Sequence, residues 1–97
     1  MEKIFIGMSG RVACLNQEDG EVIWEVQLKS LTSLTNIYRE NGCVFAYAGG
    51  HLFCLDDSDG SIKWTNKLKG FGYGACLFAG DQQNSVIIEK LKEEAGS

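Results

Sequence analysis

Short apolar runs alternate with glycine-marked turns along most of the chain. Ile4-Phe5-Ile6 is a compact β-rich run, and Ser9-Gly10 after it suits a turn with positive φ. Val12-Ala13-Cys14-Leu15 is continuously apolar, the pattern of a strand covered on both faces. Gln17-Glu18-Asp19-Gly20 then reads as a tight turn, with the Asp side chain bonding the local backbone and Gly taking the left-handed position. Val22, Trp24, Val26 and Leu28 alternate with Glu21, Ile23, Glu25 and Gln27, which predicts a half-buried strand. Helical spacing emerges only in the tail, where Ile87, Ile88, Leu91 and Ala95 follow Asn84 and Ser85 as candidate N-caps.

The same pattern occurs twice. Residues 3–30 lie over residues 43–70 at an offset of 40 without a gap, and nine of the 28 positions are identical. The identities are Phe5/Phe45, Gly10/Gly50, Cys14/Cys54, Leu15/Leu55, Asp19/Asp59, Gly20/Gly60, Trp24/Trp64, Leu28/Leu68 and Lys29/Lys69. Gly49-Gly50, Leu52–Leu55, Asp57–Gly60 and the alternation of Ile62, Trp64, Asn66 and Leu68 are the second copies of the elements above. Four short antiparallel strands in about 40 residues is the composition of one propeller blade. The fold class is therefore all-β, with two four-stranded antiparallel blades in the chain. Residues 1–80 hold the two repeats, at about 3–30 and 32–70, with 71–79 as an extra inner strand. Residues 81–97 form a tail expected to be a short helix, with an added β-strand over Ser85–Glu89 as the alternative.

Composition narrows the chemistry. The 97 residues carry 9 Lys and Arg against 13 Asp and Glu, a formal charge of −4, without a basic cluster. That balance argues against phosphate-driven nucleic-acid binding. No apolar run approaches the ~20 residues that span a bilayer, so no membrane partner is expected. Cys14, Cys43, Cys54 and Cys76 are 29, 11 and 22 residues apart, with no closely spaced pair to begin a zinc site, and His51 is the single histidine. Four cysteines behind an N-terminus without an export signal read as reduced cytoplasmic thiols.

The stretches Cys14–Trp24 and Cys54–Trp64 resemble the tryptophan-docking motif of PQQ-like β-propeller repeats, which runs roughly A-x-D-x-x-T-G-x-x-x-W. The resemblance covers about 70 of the 97 residues. It implies that Trp24 and Trp64 dock on a neighbouring blade and that Gly20 and Gly60 are their turn glycines. Cys14 and Cys54 stand where the family usually has Ala, and Asp19 and Asp59 where it usually has Thr. These eight residues are the expected blade-docking set. The family's quinone chemistry is not carried over, because the chain lacks a vicinal cysteine pair and has too few blades to enclose a ligand. No cofactor, metal or catalytic residue is expected.

In the family's inner-to-outer order A to D, residues 3–8, 11–16 and 21–28 read as B, C and D. Residues 32–38, 44–48, 51–56 and 61–68 read as A, B, C and D of the next blade, and 71–79 as a further A. The first blade thus lacks an inner strand while the last inner strand lacks a blade. Exposed strand edges are templates for association, and heterologous contacts close into rings where the rotation allows. The expected partner is a second copy of the chain, head to tail, with 71–79 of one copy completing the first blade of the next. The family's common eight blades imply a tetramer, and six blades in a trimer are the alternative.

On the presumed inner strands, Asn36, Tyr38, Tyr73 and Cys76 are candidates to face a central channel. Asp56–Gly60 has a calcium-loop look, but Leu55 and Asn66 occupy the first and last ligand positions of that pattern, so it reads as a hairpin turn. The expected function is a non-catalytic interaction scaffold for a protein or small ligand. A quinone-dependent oxidoreductase and a multivalent sugar-binding propeller, each formed only in the assembled ring, are the alternatives.

Overall fold

The computed structural model describes residues 2–72 and 74–79. Strands β1 (Lys3–Met8), β2 (Arg11–Asn16) and β3 (Val22–Gln27) form one antiparallel sheet in that order. Strands β4 (Thr35–Glu40), β5 (Cys43–Ala48), β6 (His51–Asp56) and β7 (Ile62–Asn66) form a second. The repeat is reproduced pair by pair. Lys3 opposes Asn16 and Met8 opposes Arg11 in the first sheet, just as Cys43 opposes Asp56 and Ala48 opposes His51 in the second. Both β2–β3 and β6–β7 shift register at the same place, between Cys14 and Leu15 and between Cys54 and Leu55.

Hairpin turns explain the short strands. Ser9-Gly10 and Gly49-Gly50 take positive φ at both positions, the twist that matches antiparallel neighbours. Asn41-Gly42 does the same at φ 51° and 76°, so β4 runs on to Glu40 rather than ending at Tyr38. Its start moves from residue 32 to Thr35 because Ser33 N–H donates to Ser30 O, and the Ser30, Thr32 and Ser33 hydroxyls bond one another in a turn. β7 stops at Asn66, short of residue 68, because the Asn66 side chain accepts the Leu68 N–H at 2.8 Å and Leu68 turns to φ 49°.

The first sheet has three strands, not four, among the described residues. Residues 71, 72 and 74–79 pair with no strand among the described residues of their own chain; the expectation placed 71–79 in the first blade of a second copy. By the repeat the ladder partner of that segment would be β1, which pairs with β2 alone among the described residues. The helix expected in the tail lies outside the described residues, and so does Tyr73. The described part of the molecule is all-β, two antiparallel sheets with the strand pattern of propeller blades.

The sheets stack face to face. Val12 of the first sheet joins Val44, Ala46, Ala48, Phe53 and Leu55 of the second in one buried cluster, with Phe5, Trp24, Val26, Leu28 and Ile37 packed around it. Burial of that apolar face, at about 25 cal/mol per Å², holds two small sheets that neither could stabilise alone. Gly7 of β1 makes the close approach to β4 feasible, since a Cβ there would lie 2.6 Å from Ile37 Cγ2.

Candidate functional site

The site is the joint between the sheets, and its parts come from the two repeated turns. In the first turn Asn16 O accepts the Gly20 N–H at 2.7 Å, Asn16 Oδ1 accepts the Glu18 N–H, and Asp19 Oδ1 accepts the Glu21 N–H. In the second, Asp56 O accepts the Gly60 N–H at 2.8 Å, Asp56 Oδ1 accepts the Ser58 N–H, and Asp59 Oδ1 accepts the Ser61 N–H. The Asp56 carboxyl is held below its ordinary pKa, mainly by the Ser58 hydroxyl and then by its backbone N–H. Asp19 and Asp59 thus close the turns through their own side chains.

Trp24, at the middle of β3, crosses to the second of these turns. Its indole Nε1 donates to Asp57 O at 3.0 Å. The six-membered ring covers Gly60 so closely that a Cβ there would lie 2.5 Å from Trp24 Cε3. Phe5 backs the indole from β1, with ring centroids 6.1 Å apart. Arg39, on β4, completes the joint. Its Nε donates to Asp57 Oδ2 at 3.0 Å, and its guanidinium lies 5.0 Å from the centre of the Phe5 ring. One arginine therefore touches both sheets. Thr35 Oγ1 adds a second polar link by accepting the Gly10 N–H at 2.7 Å.

Trp64 has the same local setting without the dock. Phe45 backs it at 6.1 Å, at an interplanar angle of 45° against 52° for the first pair. Yet Trp64 is 45 % exposed. Gly20, the counterpart of Gly60, is exposed and nothing lies within 4 Å of where its Cβ would be. Among the described residues, one tryptophan lies in a glycine turn, one lies outside, and one such turn is unfilled.

The remaining candidates fall elsewhere. Cys14 and Cys54 are buried, and burial is the first cause of the raised pKa of each thiol. Asn36 donates through Nδ2 to Cys76 O at 2.8 Å, and Tyr38 stacks on Phe78 while its hydroxyl donates to Glu40. Cys76 is half-buried, which raises its pKa. These contacts gather Asn36, Tyr38 and Cys76 where residues 76–78 lie beside β4. His51 sits at an open cleft with Lys67 and Lys69, and its pKa is lowered first by desolvation and then by Lys29 and Lys67. Lys63 Nζ donates to Cys43 Sγ at 3.3 Å. Among the described residues no group of three potential metal ligands lies together, and no helix is long and apolar enough to cross a membrane.

Arg39, Asp57 and Thr35 are residues of the joint that the repeat does not flag. Their counterparts at an offset of 40 are Ala79, Gln17 and Ala75, so alignment of the two copies passes over them. Position 39, a lone cation in a β-rich run next to Tyr38, is the only sequence signal they leave.

Two sheets joined by a tryptophan set into a glycine turn define a class, β-propeller blades of the tryptophan-docking kind. A family model described as outer membrane protein assembly factor BamB matches residues 8–91, and the chain belongs to that family of PQQ-like repeats. Comparison with curated proteins gives no match.

Proposed function

We propose that the chain is a self-associating, non-catalytic propeller scaffold whose copies dock head to tail. In this reading Trp64 of one copy enters the Gly20 turn of the next, as Trp24 enters the Gly60 turn within the chain. The observation that carries it is the pair of turns with matching hydrogen bonds, one filled and one open, beside a second tryptophan already held by Phe45. Holding an aromatic anchor in its bound arrangement lowers the ordering cost of association, and buried tryptophans are frequent anchors of interfaces.

A second support is the outer face of the first sheet. Ile4, Ile6 and Met8 are 48, 40 and 62 % exposed, while their repeat counterparts Val44, Ala46 and Ala48 are fully buried in the joint. Two blades per copy make rings of even blade number, with a tetramer of eight blades as the proposed assembly and a trimer of six as its competitor. A scaffold that binds other proteins also agrees with the family's description as an assembly factor.

Light scattering coupled to size exclusion tests the reading. The wild-type chain is expected at four times its 10.7 kDa mass. Trp64→Ala is expected to return it to a monomer, since losing a central interface tryptophan costs roughly 2–4 kcal/mol at each junction. A wild-type chain that remains monomeric at micromolar concentration contradicts the proposal.

A further inference from the structure

We propose that copies exchange a strand: residues 75–79 of one copy pair with β1 of the next as its missing fourth strand, in a defined register. The inference rests on the docking reading above and adds to it a backbone ladder.

Two open edges motivate it. β1 pairs with β2 on one side only, and residues 74–79 pair with no strand among the described residues. The segment nevertheless has a definite place. Asn36 Nδ2 donates to Cys76 O at 2.8 Å, Phe78 stacks on Tyr38 with centroids 6.0 Å apart, and the Gly74 N–H donates to Tyr47 Oη at 3.3 Å.

That place has a precedent in the same molecule. Where β4 meets the first sheet, Gly7 faces Thr35 and Ile37. The residues 40 positions further on are Tyr47, Ala75 and Leu77, and these three line one cavity of about 270 Å³. Residues 75–77 thus lie against the second sheet as β4 lies against the first. β4 is the inner strand of the sheet that follows, so 75–79 occupies the inner-strand position of a sheet still to be supplied.

The register follows from the β4–β5 ladder, in which Thr35 opposes Ala48, Ile37 opposes Ala46 and Arg39 opposes Val44. Moved by 40 positions, Ala75 opposes Met8, Leu77 opposes Ile6 and Ala79 opposes Ile4. Directly opposed residues share a face. Ala75, Leu77 and Ala79 therefore extend the exposed apolar face of β1, and Leu77, itself 52 % exposed, is covered with it. The ladder satisfies backbone groups on both edges, and the side-chain alternation selects this register over a one-residue slip.

Disulfide trapping tests the register in the full chain, with Cys43 and Cys76 replaced by serine. Met8→Cys with Ala75→Cys places the two thiols on directly opposed residues, both at exposed positions. Ile4→Cys with Ala75→Cys places them four residues apart along the ladder, about 13 Å, beyond the ~7 Å between Cα atoms that a disulfide tolerates. The first variant is expected to give a non-reducing ladder in steps of 10.7 kDa, at least tenfold more abundant than any from the second. Association by light scattering without that ladder, or with equal trapping in both variants, overturns strand exchange and leaves tryptophan docking standing. A chain that does not associate at all overturns both.

Discussion

Trp24→Ala is expected to destabilise the chain by about 3 kcal/mol, toward the lower end of the range for removing a packed Trp. Three contacts disappear together: the indole on Gly60, the bond from Nε1 to Asp57 O, and the packing on Phe5. Asp57 O also loses its donor at a half-buried joint, so the cost exceeds the lost apolar area. At 4–8 °C per kcal/mol for a domain of this size, the melting temperature should fall by roughly 12–24 °C. Calorimetry in the Trp64→Ala background keeps association out of the measurement. Trp64→Ala alone is expected to cost less than about 1 kcal/mol in the separated chain, because the residue is already 45 % exposed. Equal losses from the two tryptophans would mean that the cross-sheet dock contributes nothing beyond local packing.

Gly60→Ala should cost about 3 kcal/mol and Gly20→Ala about 1 kcal/mol, although the two turns have matching hydrogen bonds. Both glycines sit at positive φ, 77° and 76°, where an L side chain is penalised by roughly 1–2 kcal/mol. Only at Gly60 does the new methyl meet an obstacle, Trp24 Cε3 at 2.5 Å. The indole must leave its socket, so most of the Trp24 contribution is forfeited as well. The Gly60→Ala and Trp24→Ala losses should accordingly fail to add in urea denaturation of the double variant. Additive losses would place the strain in the turn alone. In the associated form Gly20→Ala obstructs the vacant socket, so it should weaken assembly more than it weakens the chain.

Much of the fold is legible in the residues because the chain states it twice. An offset of 40 without a gap demands that both copies share strand register: β1–β2 and β5–β6 pair in step, and β2–β3 and β6–β7 shift at the same place, after Cys14 and Cys54. Strand ends are less legible where side chains set them. The Asn66 carboxamide halts β7 and the hydroxyl cluster at Ser30 delays β4, and neither has a copy in the other repeat. The joint shows the same division. Trp24 and Gly60 are repeated residues and stand out. Arg39 and Asp57 are written once, and their pairing across 18 positions depends on how β4 lies over the second turn. Alternation could not show that residues 74–79 pair with no strand among the described residues, because a strand needs a neighbour as well as a suitable sequence.

The unequal surroundings of the two indoles carry an optical consequence. One ring is wedged between sheets with its N–H engaged, while the other stands half in water beside Phe45. Their emission is expected to differ in colour and in access to an aqueous quencher such as iodide. The protein thereby holds an intrinsic reporter and an internal standard in one polypeptide, so occupancy of its outer tryptophan can be followed by light without any attached dye.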